Sequence, residues 1–267
     1  DALIPLAGPA NKQARIVADN LCGEKKAYHG TQGTAIAKVF DMTAAATGIN
    51  EHAAREAGLA YEKLVLSPES HASYYPGGYP ISIKTLFDKS SGKILGVQLI
   101  GQDGVDKRAD VFATAIRARM TAFDLTDLEL CYAPPYGSAK DPVNFVGYVI
   151  ENVLTEKAKH FFWEDVDKLP RDGSVTLLDV RTNSEVSRGM IEGFRHIPLD
   201  ELRQHIEELE KDKPIYINCQ SGLRSYLACR ILTAYGFDCY TLSGGWRLYH
   251  LVMDDQMADE HGCYDLS

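Results

Sequence analysis

Apolar residues along the first half of the chain change period several times. Ala10, Ala14, Val17 and Leu21 follow Gly8-Pro9 at helical spacing and predict a helix over residues 9–21, ended by Gly23. Residues 34–40 alternate and predict a strand, and Asn50 is placed to cap a helix running to Gly58. The apolar-rich runs 81–87 and 94–100 flank a polar Asp88-Lys-Ser-Ser-Gly-Lys93 turn, which predicts a hairpin. Positions 105, 109, 112, 116 and 120 form a helical apolar stripe. Strands grouped around a helix predict an α+β domain with an antiparallel sheet.

From about residue 155 the pattern alternates. A charged connector, Thr155-Glu-Lys-Ala-Lys-His160, precedes a fresh apolar start at Phe161-Phe-Trp163. Strands are predicted at 175–178, 215–217 and 239–242. Between them Asp200 caps a predicted helix with Leu202, Ile206 and Leu209 on its apolar face. A second helix carries Leu223, Leu227, Ile231 and Ala234 and stops at Gly236. Strand, helix, strand, helix, strand predicts an α/β domain, a parallel sheet with helices on both faces. The expected division is 1–154 and 155–267.

Composition removes several classes of function. With 28 Lys+Arg against 37 Asp+Glu the net charge is −9, the wrong sign for broad nucleic-acid binding. No run approaches the length of a membrane span and no secretory signal is legible, so a cytoplasmic enzyme is expected. The six cysteines, at 22, 131, 219, 229, 239 and 263, form neither a CxxC pair nor a dense disulfide framework. The eight histidines show no metal-ligand spacing, and no metal is expected. The chain opens without Met, inside an apolar run, which suggests a start within a larger protein.

Ile217-Asn-Cys219-Gln-Ser-Gly-Leu-Arg224-Ser225 carries the strongest chemistry. A strand ends, a short loop follows and a helix begins, so Cys219 would sit where open parallel sheets bind ligands. Loop N–H groups and the positive end of a helix dipole both favour the thiolate. Gly222 lets the loop curl into an anion nest. The plainer alternative, a buried cysteine ending a core strand, is the better reading for Cys229 and Cys239.

These residues resemble the rhodanese family of sulfurtransferases. Cys219-Gln-Ser-Gly-Leu-Arg-Ser225 is similar to its active loop and Leu177-Leu-Asp-Val-Arg181, with Glu185 and Gly189, to its early strand-and-turn motif. Gly193-Phe-Arg-His-Ile-Pro-Leu199 and Leu242-Ser-Gly-Gly-Trp246 complete a likeness covering about residues 160–250. Gln220 stands where Arg is frequent, and Met190 where His is frequent. Related phosphatase loops carry one more residue between Cys and Arg and usually a His before the Cys. Here four residues intervene and Asn218 precedes, a tighter ring suited to one sulfur atom. The resemblance implies covalent transfer: Cys219 takes the outer sulfur of a persulfide, polysulfide or thiosulfate and passes it to a thiol. N–H groups from Gln220, Ser221, Gly222, Leu223 and Ser225 would stabilise the persulfide. Arg224 either offers charge or braces the loop, and Asp179 and Arg181 are read as scaffold.

In the first half, tyrosine–proline clusters stand at 73–78 and 131–136, and Cys131, ending an apolar run, reads as core. Pro5-Leu-Ala-Gly-Pro-Ala-Asn-Lys-Gln-Ala-Arg15, Gly30-Thr-Gln-Gly-Thr34, Ala46-Thr-Gly-Ile-Asn-Glu51, Tyr74-Tyr-Pro-Gly77 and Tyr132-Ala-Pro-Pro-Tyr136 with Ala139-Lys-Asp-Pro-Val-Asn144 carry a second resemblance. They resemble the dimerisation domain of flavin-dependent pyridine nucleotide–disulfide oxidoreductases, closest to the coenzyme A-disulfide reductase branch, whose rhodanese-fused members include persulfide and polysulfide reductases. That resemblance implies a homodimer, with Tyr74 and Tyr132 reaching the partner's substrate thiol. It also implies that Leu6, Ala7, Gly8 and Pro9 face the flavin at a helix N-terminus. No Gly-x-Gly-x-x-Gly follows a strand, so FAD and NAD(P)H are expected in the full-length protein and not on this chain alone. Coenzyme A is the implied substrate or ligand. The competing reading is a non-catalytic rhodanese-like module that binds a partner or coenzyme A.

Overall fold

The computed structural model describes residues 3–260, with side chains to residue 256; Cys263 and the C-terminal tail lie outside the described residues. Two compact units emerge, residues 1–63 with 69–148, and residues 64–68 with 149–267.

The first unit opens with helix α1 (Ala7–Leu21), which buries none of its residues. A hairpin follows, β1 (Ala35–Val39) and β2 (Met42–Gly48), then α2 (Glu51–Glu56), which Asn50 caps by accepting from Ala53 N–H at 2.8 Å as its sequence position predicts. Strands β3 (Glu62–Leu66), β4 (Ser82–Phe87) and β5 (Ile94–Gly101) complete a sheet of order β1-β2-β5-β4-β3. The β1–β2, β2–β5 and β4–β5 pairs are antiparallel. The predicted hairpin is β4–β5, its turn held by Asp88 accepting from the Ser90 and Ser91 N–H groups. Helix α3 (Val105–Arg117) packs on β2 and β5 through Val105, Ala109 and Phe112 and ends before Met120. Helices α4 (Ala122–Thr126) and α5 (Pro142–Leu154) follow, α5 running on past residue 148.

The second unit contains β6 (His160–Phe161), α6 (Trp163–Val166), β7 (Thr176–Asp179), α7 (Asn183–Val186), β8 (Arg195–His196), β9 (Ile215–Asn218), α8 (Leu223–Ala234), β10 (Cys239–Leu242) and α9 (Gly245–Glu260). All recorded pairings in the sheet β6-β10-β9-β7-β8 are parallel. Alternation places Leu178, Ile215 and Ile217 in one apolar cluster with Ala228, Cys229 and Leu232 of α8. Leu177 and Tyr216 fall in a second cluster with Phe161, Phe194 and Trp246. Both faces are covered, as a parallel sheet requires.

Two expectations are corrected. The helix predicted after Asp200 is two 3-10 turns, Leu202–Gln204 and Ile206–Glu208; Asp200 caps neither. Leu202, Ile206 and Leu209 are buried all the same, because a chain of tight turns can deliver them to the core without an α-helical period. Helix α8 also turns a different face inward: Ser225, Ala228, Cys229 and Leu232 are buried, whereas Leu223 and Leu227 are exposed. Small residues on that face let the helix approach the sheet.

Among the described residues no helix is long and apolar enough to cross a membrane, and no His, Cys, Asp and Glu cluster is placed to hold a metal.

Candidate active site

Cys219 is the first residue beyond the carboxyl end of β9 and is 1% exposed. Gly222 takes a left-handed φ of +104° at the start of α8, so the chain curls back and its N–H donates to Cys219 Sγ at 3.1 Å. Ser225 Oγ stands 3.4 Å from the same sulfur and bonds the Gly222 carbonyl and the Thr241 hydroxyl. No backbone carbonyl of the described residues claims the N–H groups of Gln220, Ser221, Leu223 or Arg224. A half-ring of unclaimed donors at a twelve-residue helix's positive end suits a thiolate or persulfide anion.

The loop is braced from behind. Trp246 N–H donates to the Cys219 carbonyl at 2.8 Å, and Arg247 N–H to that of Gln220 at 3.0 Å. Gly245 makes this approach feasible, because a Cβ there would lie 2.6 Å from Cys219 O and 2.8 Å from Ser221 N. Beneath the strand ends, buried Asp179 and Arg181 form an ion pair at 2.9 Å. Asn218 Nδ2 donates to Asp179 at 2.9 Å, and Arg181 donates to the Gly189 carbonyl at 2.8 Å and stacks 4.4 Å over Trp246. Asp179 and Arg181 touch each other and the frame, and no polar contact joins either to the sulfur.

Arg224 faces Glu185. Its terminal nitrogens donate to Glu185 Oε2 and Oε1 at 2.7 and 2.6 Å. This pairing is the leading reason the Glu185 carboxyl is held at about 2; burial opposes it, and the N–H and hydroxyl of Thr182 assist it. The Arg224 guanidinium is raised in turn, first by Glu185 and, to a smaller extent, by the nearby Cys219. The other buried thiols sit in a different setting. Cys229 is pushed well above the ordinary thiol range by its hydrogen bond with Cys239 and by burial, which makes it a poor nucleophile.

In the first unit, Tyr74 and Tyr132 are exposed and their hydroxyls meet at 3.2 Å, which raises the Tyr132 phenol. Buried Arg108 underpins both tyrosine loops: it donates to the Ser70 carbonyl at 2.9 Å and to Asp141 at 2.8 Å, while Ala72 N–H donates to the Gly137 carbonyl. Cys131 is exposed, correcting its reading as core; residues 128–131 have no regular structure, and the Lys107 ammonium caps the Cys131 carbonyl.

Leu6, Ala7, Gly8 and Pro9 form the entry to α1, with no side-chain cap on its N-terminus. Gly8 and Pro9 border a cleft of about 770 Å³ lined also by Lys12, Arg15, His29 and Arg117. Such an entry fits one edge of an electron-rich ring; it does not supply the glycine-rich strand-to-helix turn that a dinucleotide's pyrophosphate needs.

Sequence reasoning left Glu185, Gly245 and Arg108 without roles. The spacing Thr182-Asn-Ser-Glu185 is a readable helix-start signal, and Glu185 does bond back to Thr182. The Glu185–Arg224 contact joins residues far apart in sequence and had no local sign.

Two family profiles match the chain: the pyridine nucleotide-disulphide oxidoreductase dimerisation domain over residues 34–142 and the rhodanese-like domain over residues 162–251. A coenzyme A disulfide reductase of Staphylococcus aureus is 36% identical over 148 residues, 55% of this chain and 33% of that protein. Reduced CoADR-RHD of Bacillus anthracis superposes with a TM-score of 0.91 at 49% identity, covering 95% of this chain and 46% of that one. A NAD-dependent persulfide reductase from A. fulgidus gives 0.83 at 39% identity, covering 91% and 44%. The chain thus spans a third to a half of the length of these relatives. The chain combines a pyridine nucleotide-disulphide oxidoreductase dimerisation domain with a rhodanese-like domain, and over more than nine-tenths of its length it resembles a CoADR-RHD and a NAD-dependent persulfide reductase.

Proposed function

We propose that the second domain, taken as residues 155–267, transfers sulfane sulfur through a persulfide on Cys219. The carrying observation is the Cys219 sulfur held 3.1 Å from the Gly222 N–H inside a loop of unclaimed donors. The Cys219 thiolate attacks the outer sulfur of a donor, the donor's remainder leaves with the electron pair of the broken bond, and the sulfur stays on Cys219 as a persulfide; an acceptor thiolate then attacks that outer sulfur and expels the Cys219 thiolate. Loop N–H groups stabilise both anions; Ser225 orients the sulfur, and Arg224 with Glu185 braces the helix entry.

In the full-length protein, this reading couples the transfer to FAD- and NAD(P)H-dependent reduction of coenzyme A disulfide, coenzyme A persulfide or polysulfide in the cytoplasm. Residues 1–154 would form the homodimer interface, and Tyr74 and Tyr132 would meet the substrate thiol of the partner protomer. FAD would supply the electron relay when bound, and Leu6–Pro9, at the uncapped entry to α1, are the residues of this chain proposed to touch it.

The test is sulfur transfer from polysulfide to a thiol. Cys219→Ser should abolish it, because an alkoxide is inaccessible at neutral pH, while Cys229→Ser should leave most of the turnover. Full activity in Cys219→Ser overturns the assignment, and an inert wild-type protein favours the non-catalytic binding module.

A further inference from the structure

Within the loop 219–225 Arg224 is the sole cation, and position 220 is Gln. Both terminal nitrogens of Arg224 are already committed to Glu185, at 2.7 and 2.6 Å. Glu185 comes from α7, outside the loop, and is itself anchored through the Thr182 N–H and hydroxyl at 2.8 Å each. The loop's charge is therefore answered before any donor arrives. Its remaining outward side chains are neutral, and Leu223 is 51% exposed.

Donors differ in how they meet such a loop. Thiosulfate brings two negative charges close to the reacting sulfur and finds no free cation in the loop. An organic hydropersulfide whose charge, if any, lies remote from sulfur meets the same N–H groups, with Leu223 available to its carbon tail. We infer that Glu185, by occupying Arg224, acts as a positioning residue that selects organic hydropersulfides over thiosulfate as sulfur donors; this rests on the reading of Cys219 as the sulfur-carrying nucleophile. In the favoured step the Cys219 thiolate forms a bond to the outer sulfur of R–S–S–H. The R–S to S bond breaks, the electron pair leaves on R–S⁻, and the proton stays on the transferred sulfur. No other oxidant or reductant enters. With thiosulfate the same displacement expels sulfite, a dianion leaving a loop with no free countercharge.

The experiment follows the mass gain of one sulfur atom on the full 267-residue chain in single-turnover mixing, over a concentration series of each donor. The donors are thiosulfate and mercaptoethanol hydropersulfide. Wild type should half-saturate with hydropersulfide at a concentration at least about tenfold below thiosulfate, the factor one uncompensated charge implies. Glu185→Gln frees Arg224 and should lower the thiosulfate half-saturation concentration about tenfold relative to that of hydropersulfide, with the limiting rate changing less. A parallel change for both donors would mark a merely structural role and overturn the inference. Gln220→Arg, which leaves the Glu185 pair in place, should shift the same ratio toward thiosulfate even if Glu185→Gln fails to fold; an unmoved ratio overturns the charge argument. Equal half-saturation in wild type also overturns it and points to a cation outside the loop, such as Arg247. Failure of every donor to load Cys219 overturns the sulfur-transfer reading itself, a result distinct from loading without selectivity.

Discussion

Gly245→Ala places one methyl group where the structure has no room. The new Cβ would lie 2.6 Å from Cys219 O, 2.8 Å from Ser221 N and 2.9 Å from Gln220 C, against ordinary contact at 3.4 Å or more. All three obstacles are backbone, so none can rotate away; the loop and the start of α9 must separate by up to 0.8 Å, the difference between 3.4 and 2.6 Å. The left-handed φ of +61° adds about 1–2 kcal/mol for a residue with a Cβ. Overpacking adds about 1–3 kcal/mol, so the total is about 2–5 kcal/mol. A loop displaced by that distance cannot keep Gly222 N–H on the sulfur, and sulfur transfer should fall about 100-fold. Gly236→Ala is the control: its φ is +88°, but nothing lies within 4 Å of its Cβ. It should lose only the backbone part of the stability and keep turnover. Urea unfolding with a sulfur-transfer assay on both variants decides the matter. A Gly245→Ala protein as stable and active as the Gly236→Ala control refutes the close-approach argument.

Two further outcomes follow from the buried and half-buried charges. The Glu185 carboxyl lies at about 2 in the folded chain against a usual 4.5, mainly through Arg224. Its folded value is depressed, so its stabilisation is complete above about pH 5 and is lost as pH falls through 4.5 toward 2. Chemical denaturation at stepped pH should show about 1–3 kcal/mol of that loss, absent in Glu185→Gln; an identical slope in both proteins contradicts the pairing. Asp179→Ala strands the buried Arg181 and the Asn218 amide and should cost about 3–5 kcal/mol in urea unfolding. A loss below about 1 kcal/mol would mean that Arg181 finds water or another acceptor.

Local patterns in the sequence were enough for the two fold classes, an antiparallel sheet with helices in the first part and a parallel sheet in the second. Buried strands there alternate with helices, and β10 occupies residues 239–242 as the apolar run predicts. Asn50's cap and the β4–β5 hairpin were likewise legible, since a cap or a tight turn is specified within a few residues. The curl of the loop from Cys219 to Gly222 was legible because a strand-end cysteine, a glycine and a helix start follow one another within a few residues, the local arrangement that turns N–H groups inward. Tertiary structure decided what periodicity could not. Helix α8 buries Ala228 and Cys229 in place of Leu223 and Leu227, because the sheet accepts the side that lets the helix come close. Residues 202–208 reach the core as 3-10 turns, an outcome set by the packing around them. The pairing of Glu185 with Arg224, the approach of Gly245 to Cys219 and the bracing of both tyrosine loops by Arg108 join residues 26 to 39 positions apart in sequence. A sequence specifies such contacts only through the whole fold, because the energy that selects them is the packing of elements that have no local signature of one another.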